Sequence, residues 1–335
     1  MKIAVVGIGY WGPNLVRNFL NCRKVKGVFC CDTDKSRLEF IKKQCDSVET
    51  TANFDEILNN PEITAIAIAT PVSSHFLLAK KALEHGKHIF IEKPITANVR
   101  DAQQLINIAM ENKLTLMVDH IFVYNGAVNK IKNIIKAGEI GDILYFDGVR
   151  VNLGLFQHDV NVIWDLAIHD LSIMDFLLPM KPVAISAVGI GHFNHIEDMS
   201  YLTLFFKENC IAHLHVNWLA PVKIRRILIG GTQKMIVYDD METVEKIRVY
   251  DKGVEIKTKE GIYKTLIQYR TGDMSAPRFD STEPLAMITN EFVNCVENGC
   301  SPICDGTSGM RMVQILEAAE KSIKNKGQIM ELNGL

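Results

Sequence analysis

The chain has 335 residues, with 37 Lys and Arg against 39 Asp and Glu and a formal net charge of -2. Single hydrophobic cores stop growing at roughly 250 to 300 residues, so this length predicts two domains with a cleft between them. The balanced charge and the lack of a long basic run give no electrostatic reason to bind a phosphate backbone. We therefore expect no nucleic-acid partner.

The eight cysteines lie mainly in apolar stretches rather than at the dense spacing of a disulfide-stapled secreted domain. The sequence enters a strand directly after Met1-Lys2, without the pattern of a signal peptide. Its longest apolar stretches, such as Ile63–Val72, fall short of the ~20 residues that a membrane-spanning helix needs. These features predict reduced thiols, a cytoplasmic location and no membrane partner.

Through residue 119, apolar runs of strand length alternate with helical patterns, which is typical of a parallel sheet with helices on both faces. The predicted strands are Lys2–Val6, Val25–Cys31, Ala65–Ala69, His88–Ile91 and Thr115–Val118. Helical spacing covers Leu15–Leu20, Arg37–Lys43, Phe76–His85 and Val99–Glu111. Residues 1–119 are therefore predicted to form a doubly wound α/β domain.

The pattern changes after Asp119. One helix over Ala127–Lys136 is followed by strand-length runs joined by short polar turns, which predicts a large, mostly antiparallel sheet in an α+β domain of residues 120–335. Helices over Asp165–Leu178, Leu285–Asn298 and Thr307–Lys324 are expected to cover one face, and the last of them can pack back on the first domain. A second subunit is the expected cover for the other face, so we predict a homodimer or homotetramer.

A glycine-rich loop, Gly7-Ile8-Gly9-Tyr10-Trp11-Gly12, lies between the first strand and the first helix. Gly7 permits a tight turn, Gly9 lets the backbone approach a pyrophosphate, and Gly12 allows close packing of helix on strand. The helix N-terminus attracts the phosphate charge. In this context the loop predicts a Rossmann domain that binds NAD.

Asp32 ends the second strand, twenty positions after Gly12. Its carboxylate would accept hydrogen bonds from the ribose hydroxyls and repel a 2'-phosphate, which favours NAD over NADP. Two observations leave alternatives open. Asp32 also begins the turn Asp32-Thr33-Asp34, and the nearby Arg37 has the charge that a 2'-phosphate requires.

Two further loops follow strands whose carboxyl ends should face the same cleft. Thr70 and Pro71 are predicted to line the middle of the cofactor, whereas for His75 helix capping or packing is as well supported as cofactor contact. Glu92 and Lys93 follow the next strand and are predicted to contact the cofactor. Beside a positive nicotinamide, Lys93 can donate to a substrate hydroxyl or have its pKa lowered.

Asp165 and His169 are four residues apart, so they share one face if the segment is an α-helix. A carboxylate can orient an imidazole there, and a histidine suits the proton transfer that oxidation of an alcohol requires. A simple salt bridge is the alternative. We expect no metal site, because His213 and His215 suit strand packing and the cysteines lack a paired CxxC spacing.

Together these segments resemble the Gfo/Idh/MocA family of oxidoreductases over nearly the whole chain. The resemblance lies in residues 2–12, in Ala69-Thr70-Pro71, in Glu92-Lys93-Pro94, in Asp165–His169 and in a C-terminal pattern from Asn298 to Ser322. It implies hydride transfer between NAD(P) and hydroxyls of sugars, inositols or sugar nucleotides. It also implies that Lys93, Asp165 and His169 form the catalytic group, with His169 as base and Lys93 polarising the reacting oxygen.

Residues 150–154 and the stretch from Asp159 to Leu166 are similar to family members that act on nucleotide-linked amino sugars such as UDP-N-acetylglucosamine. The resemblance makes Arg150 and Asn161 candidate substrate contacts, although Arg150 equally suits a charge at a strand edge. Many members have an arginine and a proline where this chain has Val123 and Gly126. Tyr124 and Asn125, in the same segment, are further candidate substrate contacts.

The resulting expectation is an NAD-dependent dehydrogenase that oxidises a secondary hydroxyl, at C3 of a nucleotide-linked amino sugar. An inositol or free-sugar dehydrogenase of the same family is the first alternative. A non-catalytic NAD-binding regulator is the alternative of another class. Retention of Lys93, Asp165 and His169 argues against a regulator, which needs no proton acceptor.

Overall fold

The structure is a computed structural model that describes residues 1–154, 160–193, 195–207, 209–251, 253–256, 267–270 and 272–334. Asp159 lies outside these residues. The chain divides into two compact units. Unit 1 contains residues 1–124 and 282–317, and unit 2 contains residues 125–281 and 318–335.

Unit 1 is built on a sheet of six parallel strands in the order β3-β2-β1-β4-β5-β6. The strands are β1 (Lys2–Val6), β2 (Gly27–Cys31), β3 (Glu49–Thr51), β4 (Ile63–Ile68), β5 (His88–Glu92) and β6 (Leu116–Asp119). This order is that of a dinucleotide-binding Rossmann sheet, in which ligands bind outside the carboxyl ends of the strands.

The helices of unit 1 are α1 (Gly12–Asn21), α2 (Lys35–Gln44), α3 (Phe54–Asn59), α4 (Val72–Glu84), α5 (Val99–Glu111), α8 (Pro284–Asn298) and the first part of α9 (Gly306–Lys324). Phe19 of α1, Phe90 of β5 and Phe292 of α8 pack edge to face in the core, with ring centroids 5.8 Å apart for Phe19–Phe90 and 5.5 Å for Phe90–Phe292. Helix α4 begins at Val72, four residues earlier than predicted, so His75 lies within its first turn and does not cap it.

The described residues of unit 2 form a mixed sheet of nine strands in the order β16-β13-β12-β11-β7-β10-β9-β8-β17. Its strands are β7 (Ile143–Leu153), β8 (Pro182–Ile190), β9 (Met199–Phe206), β10 (Ile211–Asn217), β11 (Leu219–Gly231), β12 (Met235–Asp239), β13 (Ile247–Tyr250), β16 (Met274–Ser275) and β17 (Met330–Glu331). A separate pair comprises β14 (Gly253–Ile256) and β15 (Ile267–Arg270). Among the described residues of this sheet, β7 and β10 are the only strands that pair in parallel, so the fold class predicted from the sequence is confirmed.

Helices α6 (Gly126–Lys136) and α7 (Ile168–Leu177) belong to unit 2. One prediction needs correction here, because the helix expected over Asp165–Leu178 is not a continuous α-helix. Residues Ile163–Ala167 form a π-helix, and α7 begins only at Ile168. None of the helices in the described part of the chain is long and apolar enough to span a bilayer.

Candidate functional site

The glycine loop between β1 and α1 is closely packed on the protein side. Gly7 has a φ of +93°, and a Cβ there would lie 2.5 Å from the carbonyl oxygen of Ala69. A Cβ on Gly12 would lie 2.1 Å from the oxygen of Gly7. Gly9 is different, since its Cβ would meet only the Arg37 side chain at 3.6 Å. Gly7 and Gly12 are thus required by the fold itself, whereas Gly9 leaves space that suits a dinucleotide pyrophosphate.

The carboxylate of Asp32 organises this loop from the end of β2. Its Oδ2 accepts a hydrogen bond from the Ile8 amide at 2.7 Å, and its Oδ1 accepts one from the Asp34 amide at 2.8 Å. The turn Asp32-Thr33-Asp34, which was the alternative role for Asp32, is therefore present. Each carboxylate oxygen has a second acceptor site, so these bonds leave capacity for ribose hydroxyls. Arg37 lies beside it, with Nη1 3.5 Å from Oδ2.

His75 joins the two neighbouring loops of the predicted cofactor site. The ring is 1% exposed, with Nδ1 2.8 Å from the carbonyl oxygen of Pro94 and Nε2 2.8 Å from that of Thr70. It therefore supports the loops after β4 and β5 from within the protein. Pro71 precedes α4 without a side-chain cap, and Tyr10 of the glycine loop is 92% exposed.

Glu92 and Asp119 form a carboxyl pair at the carboxyl edge of the sheet. They are partners in the register of β5 and β6, and their side chains are in hydrogen-bond contact. Burial raises the pKa of Glu92 well above its usual range, and the charge of Asp119 raises it further. Burial likewise raises the pKa of Asp119 to about 6, although the hydrogen bonds with Glu92 and Trp11 and the charge of the Lys93 ammonium oppose that shift.

Asp119 was not among the residues predicted to form the site. A signal was available, because Asp119 directly follows the predicted strand Thr115–Val118, as Glu92 follows His88–Ile91. The rule that ligands bind at the carboxyl ends of parallel strands applies equally to both residues. The indole of Trp11 reaches this pair, with Nε1 donating to Oδ2 of Asp119 at 3.4 Å.

In unit 2, Asp165 lies within the π-helix and His169 is the second residue of α7. Asp165 and His169 therefore do not lie on the one regular α-helix that the sequence predicted. Short π-helical segments of this kind are frequent at functional sites. Oδ2 of Asp165 accepts a hydrogen bond from Nε1 of Trp218 at 3.0 Å. This bond fixes the orientation of the carboxylate.

Two candidate substrate contacts of unit 2 have partners inside the protein. Arg150 is 1% exposed and donates from Nε and Nη2 to Oδ1 of Asp170. Asn161 is 7% exposed, and its amide donates to Glu197 at 3.0 Å and to Glu320 at 3.3 Å. Both side chains thus have structural partners, and their contact with a substrate stays a prediction.

The other two candidate substrate contacts, Tyr124 and Asn125, lie in the segment where Val123 and Gly126 depart from the family pattern. Tyr124 of unit 1 is 7% exposed, and burial raises the pKa of its hydroxyl. Asn125 of unit 2 caps α6 by accepting from the amide of Ala127. At Gly126, a Cβ would lie 1.9 Å from the carbonyl oxygen of Asp280, which explains why glycine occupies this position. Substrate contact by Tyr124 and Asn125 stays a prediction.

Among the residues that the structure describes, no group of three or more His, Cys, Asp or Glu is arranged to hold a metal ion. The two histidines on β10 pack against an aromatic side chain instead. The ring of Tyr201 stacks on His215 with centroids 4.4 Å apart and on His213 at 6.1 Å. This packing agrees with the interpretation of these residues as part of a strand surface.

Several dehydrogenases are similar to this chain over nearly their full lengths. UDP-N-acetylglucosamine 3-dehydrogenase of Acidithiobacillus ferrooxidans is 26% identical over 316 residues, which cover 93% of this chain and 94% of the relative. Scyllo-inositol 2-dehydrogenase (NAD(+)) of Bacillus subtilis is 28% identical over 340 residues, covering 97% and 94%. Among solved structures, levoglucosan dehydrogenase in complex with NADH and levoglucosan superposes with a TM-score of 0.85 at 17% identity, covering 99% of both chains. At that identity the superposition supports the fold alone.

Two family models match the chain in succession. Residues 1–120 match the oxidoreductase family with an NAD-binding Rossmann fold, and residues 128–237 match the GFO/IDH/MocA C-terminal domain. The matches span most of the chain and include the glycine loop, the carboxyl pair and the segment of Asp165 and His169. The chain therefore belongs to the Gfo/Idh/MocA family of NAD-binding oxidoreductases.

Proposed function

We propose that this member of the family oxidises a secondary hydroxyl, at C3 of a nucleotide-linked amino sugar of the UDP-N-acetylglucosamine class, with NAD as oxidant. The observation that carries this proposal is the similarity over 93% of the chain to a UDP-N-acetylglucosamine 3-dehydrogenase. The family itself accounts for the coarser activity, a sugar-type dehydrogenase that acts on CH–OH groups.

The glycine loop, Asp32 and the loops joined by His75 are the residues that would hold NAD. Their geometry fits this ligand, because Gly9 leaves space where Gly7 and Gly12 do not and α1 presents its N-terminus to the phosphates. When bound, NAD supplies the hydride acceptor that oxidation of a hydroxyl requires.

His169 is proposed to accept the hydroxyl proton, and Asp165 to orient its imidazole and balance the charge that it acquires. Lys93 is proposed to donate to the reacting oxygen and so stabilise the negative charge that develops there. The bond from Trp218 restricts the Asp165 carboxylate, which supports its role as an orienting group. Asn125 is retained as a proposed substrate contact, since its position at the start of α6 leaves it half-buried.

A second candidate within the same class is an inositol or free-sugar dehydrogenase. It is favoured by the 28% identity to scyllo-inositol 2-dehydrogenase over 97% of the chain. The two candidates differ in the need to bind a diphosphate. A panel containing UDP-N-acetylglucosamine, UDP-glucose, inositols and free hexoses therefore separates them.

The decisive experiment combines NADH absorbance with mass spectrometry of the product. The proposal expects UDP-N-acetylglucosamine to lose two hydrogens, with the new carbonyl located at C3 by deuteride reduction. Turnover restricted to inositols or free sugars would reject the sugar-nucleotide substrate. Absence of turnover with the whole panel, despite NAD binding, would favour the non-catalytic regulator.

Variants test the proposed roles separately. Lys93→Met and His169→Gln are each expected to lower kcat by about a hundredfold or more, the usual scale for loss of electrostatic or general-base catalysis. Lys43→Met and His85→Gln are matched controls at exposed positions of α2 and of the end of α4. Unchanged kcat in both active-site variants would reject the assigned roles.

A further inference from the structure

The carboxyl groups of Glu92 and Asp119 are placed beside each other by the strands that carry them. The two residues end neighbouring parallel strands and are direct register partners. Asp119 is 2% exposed, and Glu92 is half-buried with its Oε1 atom inaccessible to solvent. Two acidic groups are thus held side by side where water does not separate them.

The hydrogen bonds around the pair are incomplete without a proton between the carboxyl groups. Oδ2 of Asp119 accepts from Trp11, and the Glu92 carboxyl accepts from the backbone amide of Lys93. Within the described part of the chain, Oε1 of Glu92 and Oδ1 of Asp119 have no such donor. Since the side chains are in contact, one shared proton supplies the donor that both oxygens lack.

Charges around the pair favour one proton rather than none or two. Two ionised carboxylates in contact repel each other strongly in a buried site. The Lys93 ammonium is close enough to lower the pKa of both groups, so one negative charge is stabilised. Burial raises the pKa of the Cys304 thiol, and the charge of Asp119 raises it further, so this thiol stays neutral.

We propose that Glu92 and Asp119 share a single proton at neutral pH and act together as a singly charged counter-ion that positions the Lys93 ammonium. Sharing of the proton is independent of the substrate. The consequence for catalysis rests on the function proposed above, in which Lys93 donates to the reacting oxygen. Glu92 and Asp119 are positioning residues in this scheme, because they act through Lys93.

The shared proton is tested by infrared spectroscopy of the full chain without substrate. At neutral pH the parent is expected to show the C=O stretch of a protonated carboxyl group. Asp119→Asn and Glu92→Gln should each lose this band, because the remaining carboxylate faces an amide donor and ionises. Asp46→Asn, at an exposed position in unit 1, is the matched control and should retain it. A parent without the band, or a band retained in both single variants, would overturn the proposal.

The counter-ion role is tested by labelling amines over a range of pH and quantifying each modified peptide by mass spectrometry. The double variant Glu92→Gln/Asp119→Asn removes the negative charge beside the Lys93 ammonium, so the Lys93 amine should be modified faster at neutral pH than in the parent. Lys93 would then react at lower pH than in the parent, whereas Lys43 in the same sample should be unchanged. An unaltered titration of Lys93 in a variant with native circular dichroism would refute the counter-ion role.

Turnover of UDP-N-acetylglucosamine is measured on the same set of variants. A parent that turns over no sugar nucleotide, yet shows the infrared band and the shift of Lys93, contradicts the proposed function alone. A parent that turns over the substrate without either signal contradicts the carboxyl-pair proposal alone. The two proposals therefore fail in distinguishable ways.

Discussion

Nη2 of Arg150 lies 2.6 Å from Oδ1 of Asp170 in the interior of unit 2, and each side chain is 2% exposed. Nε of Arg150 donates to the same oxygen at 3.0 Å. The pair connects β7 to α7, the helix that carries His169. It therefore links the sheet to the segment proposed to hold the catalytic base.

Breaking this pair should destabilise the protein. Arg150→Met leaves a buried, uncompensated Asp170 carboxylate, and we expect the free energy of unfolding in urea to fall by about 3–5 kcal/mol. Arg23→Met, at an exposed position in unit 1, should change it by less than about 0.5 kcal/mol. A stable Arg150→Met protein with a raised KM for UDP-N-acetylglucosamine would instead identify Arg150 as a substrate contact.

The three loop glycines should respond differently to alanine. In Gly12→Ala the new methyl group meets the oxygen of Gly7, so folding itself should be impaired. Gly9→Ala should fold normally, because its Cβ has room, but it should weaken NAD binding by about tenfold or more by blocking the pyrophosphate. Calorimetry and thermal unfolding measure the two effects. Gly27→Ala is the control, because a Cβ there would have its nearest contact at 3.7 Å. Equal NAD affinity in Gly9→Ala and the parent would contradict the proposal that the pyrophosphate lies against Gly9.

Selectivity for NAD over NADP should depend on Asp32. The parent is expected to bind NAD at least about tenfold more tightly, because the buried carboxylate repels a 2'-phosphate. Asp32→Ser removes that charge and leaves Arg37, now 3.5 Å from the vacated oxygen position, to attract the phosphate. The ratio of the two dissociation constants should therefore fall, whereas Asp46→Ser should leave it unchanged. Tighter binding of NADP by the parent would reverse the assignment.

The Rossmann sheet was predictable from the sequence because each of its signals is local. The predicted strands are runs of four to seven residues, the glycine loop and Asp32 lie close to the first two of them, and every predicted strand of unit 1 is present. The predicted helix over Val99–Glu111 has the observed bounds. Such signals depend on hydrophobic periodicity and turn chemistry, which the sequence displays directly.

Other features depend on contacts between distant residues. The contact between Glu92 and Asp119 follows from the register of β5 with β6. No pattern within a short stretch of sequence shows that register. The ion pair of Arg150 likewise depends on how α7 packs on β7. The π-helix at Ile163–Ala167 inserts a residue into an otherwise helical pattern, so the periodicity alone predicted one continuous helix.

Stability should depend on pH through the carboxyl pair. The folded protein raises the pKa of Asp119 from 3.8 to about 6, so it stabilises the protonated carboxyl group. That contribution is fully present below pH 3.8 and is lost as the pH rises through about 6. Asp119→Asn has no such loss and should be more stable than the parent at pH 8 by about 3 kcal/mol. Urea unfolding at several pH values measures the difference, and a variant less stable than the parent at pH 8 would contradict it.

The nine-stranded sheet predicts self-association, because one of its faces exposes several large apolar side chains. Val188, Ile190, Tyr201, Ile211 and Ile224 lie on this face by register and are 48, 51, 38, 45 and 37% exposed, respectively. Monomeric proteins rarely expose apolar patches beyond a few hundred Å², so we expect the sheet to be covered by a second copy in a dimer or tetramer.

Substitution on that face should dissociate the assembly. Tyr201→Glu places a charge among these apolar side chains, where Tyr201 stacks on His215, and should shift the mass measured by light scattering toward the monomer. Phe40→Glu is the matched control, since Phe40 is 55% exposed on α2 of unit 1. A parent that is monomeric at all concentrations would reject the sheet as an interface. A Tyr201→Glu protein with the parent's mass would place the interface elsewhere on the molecule.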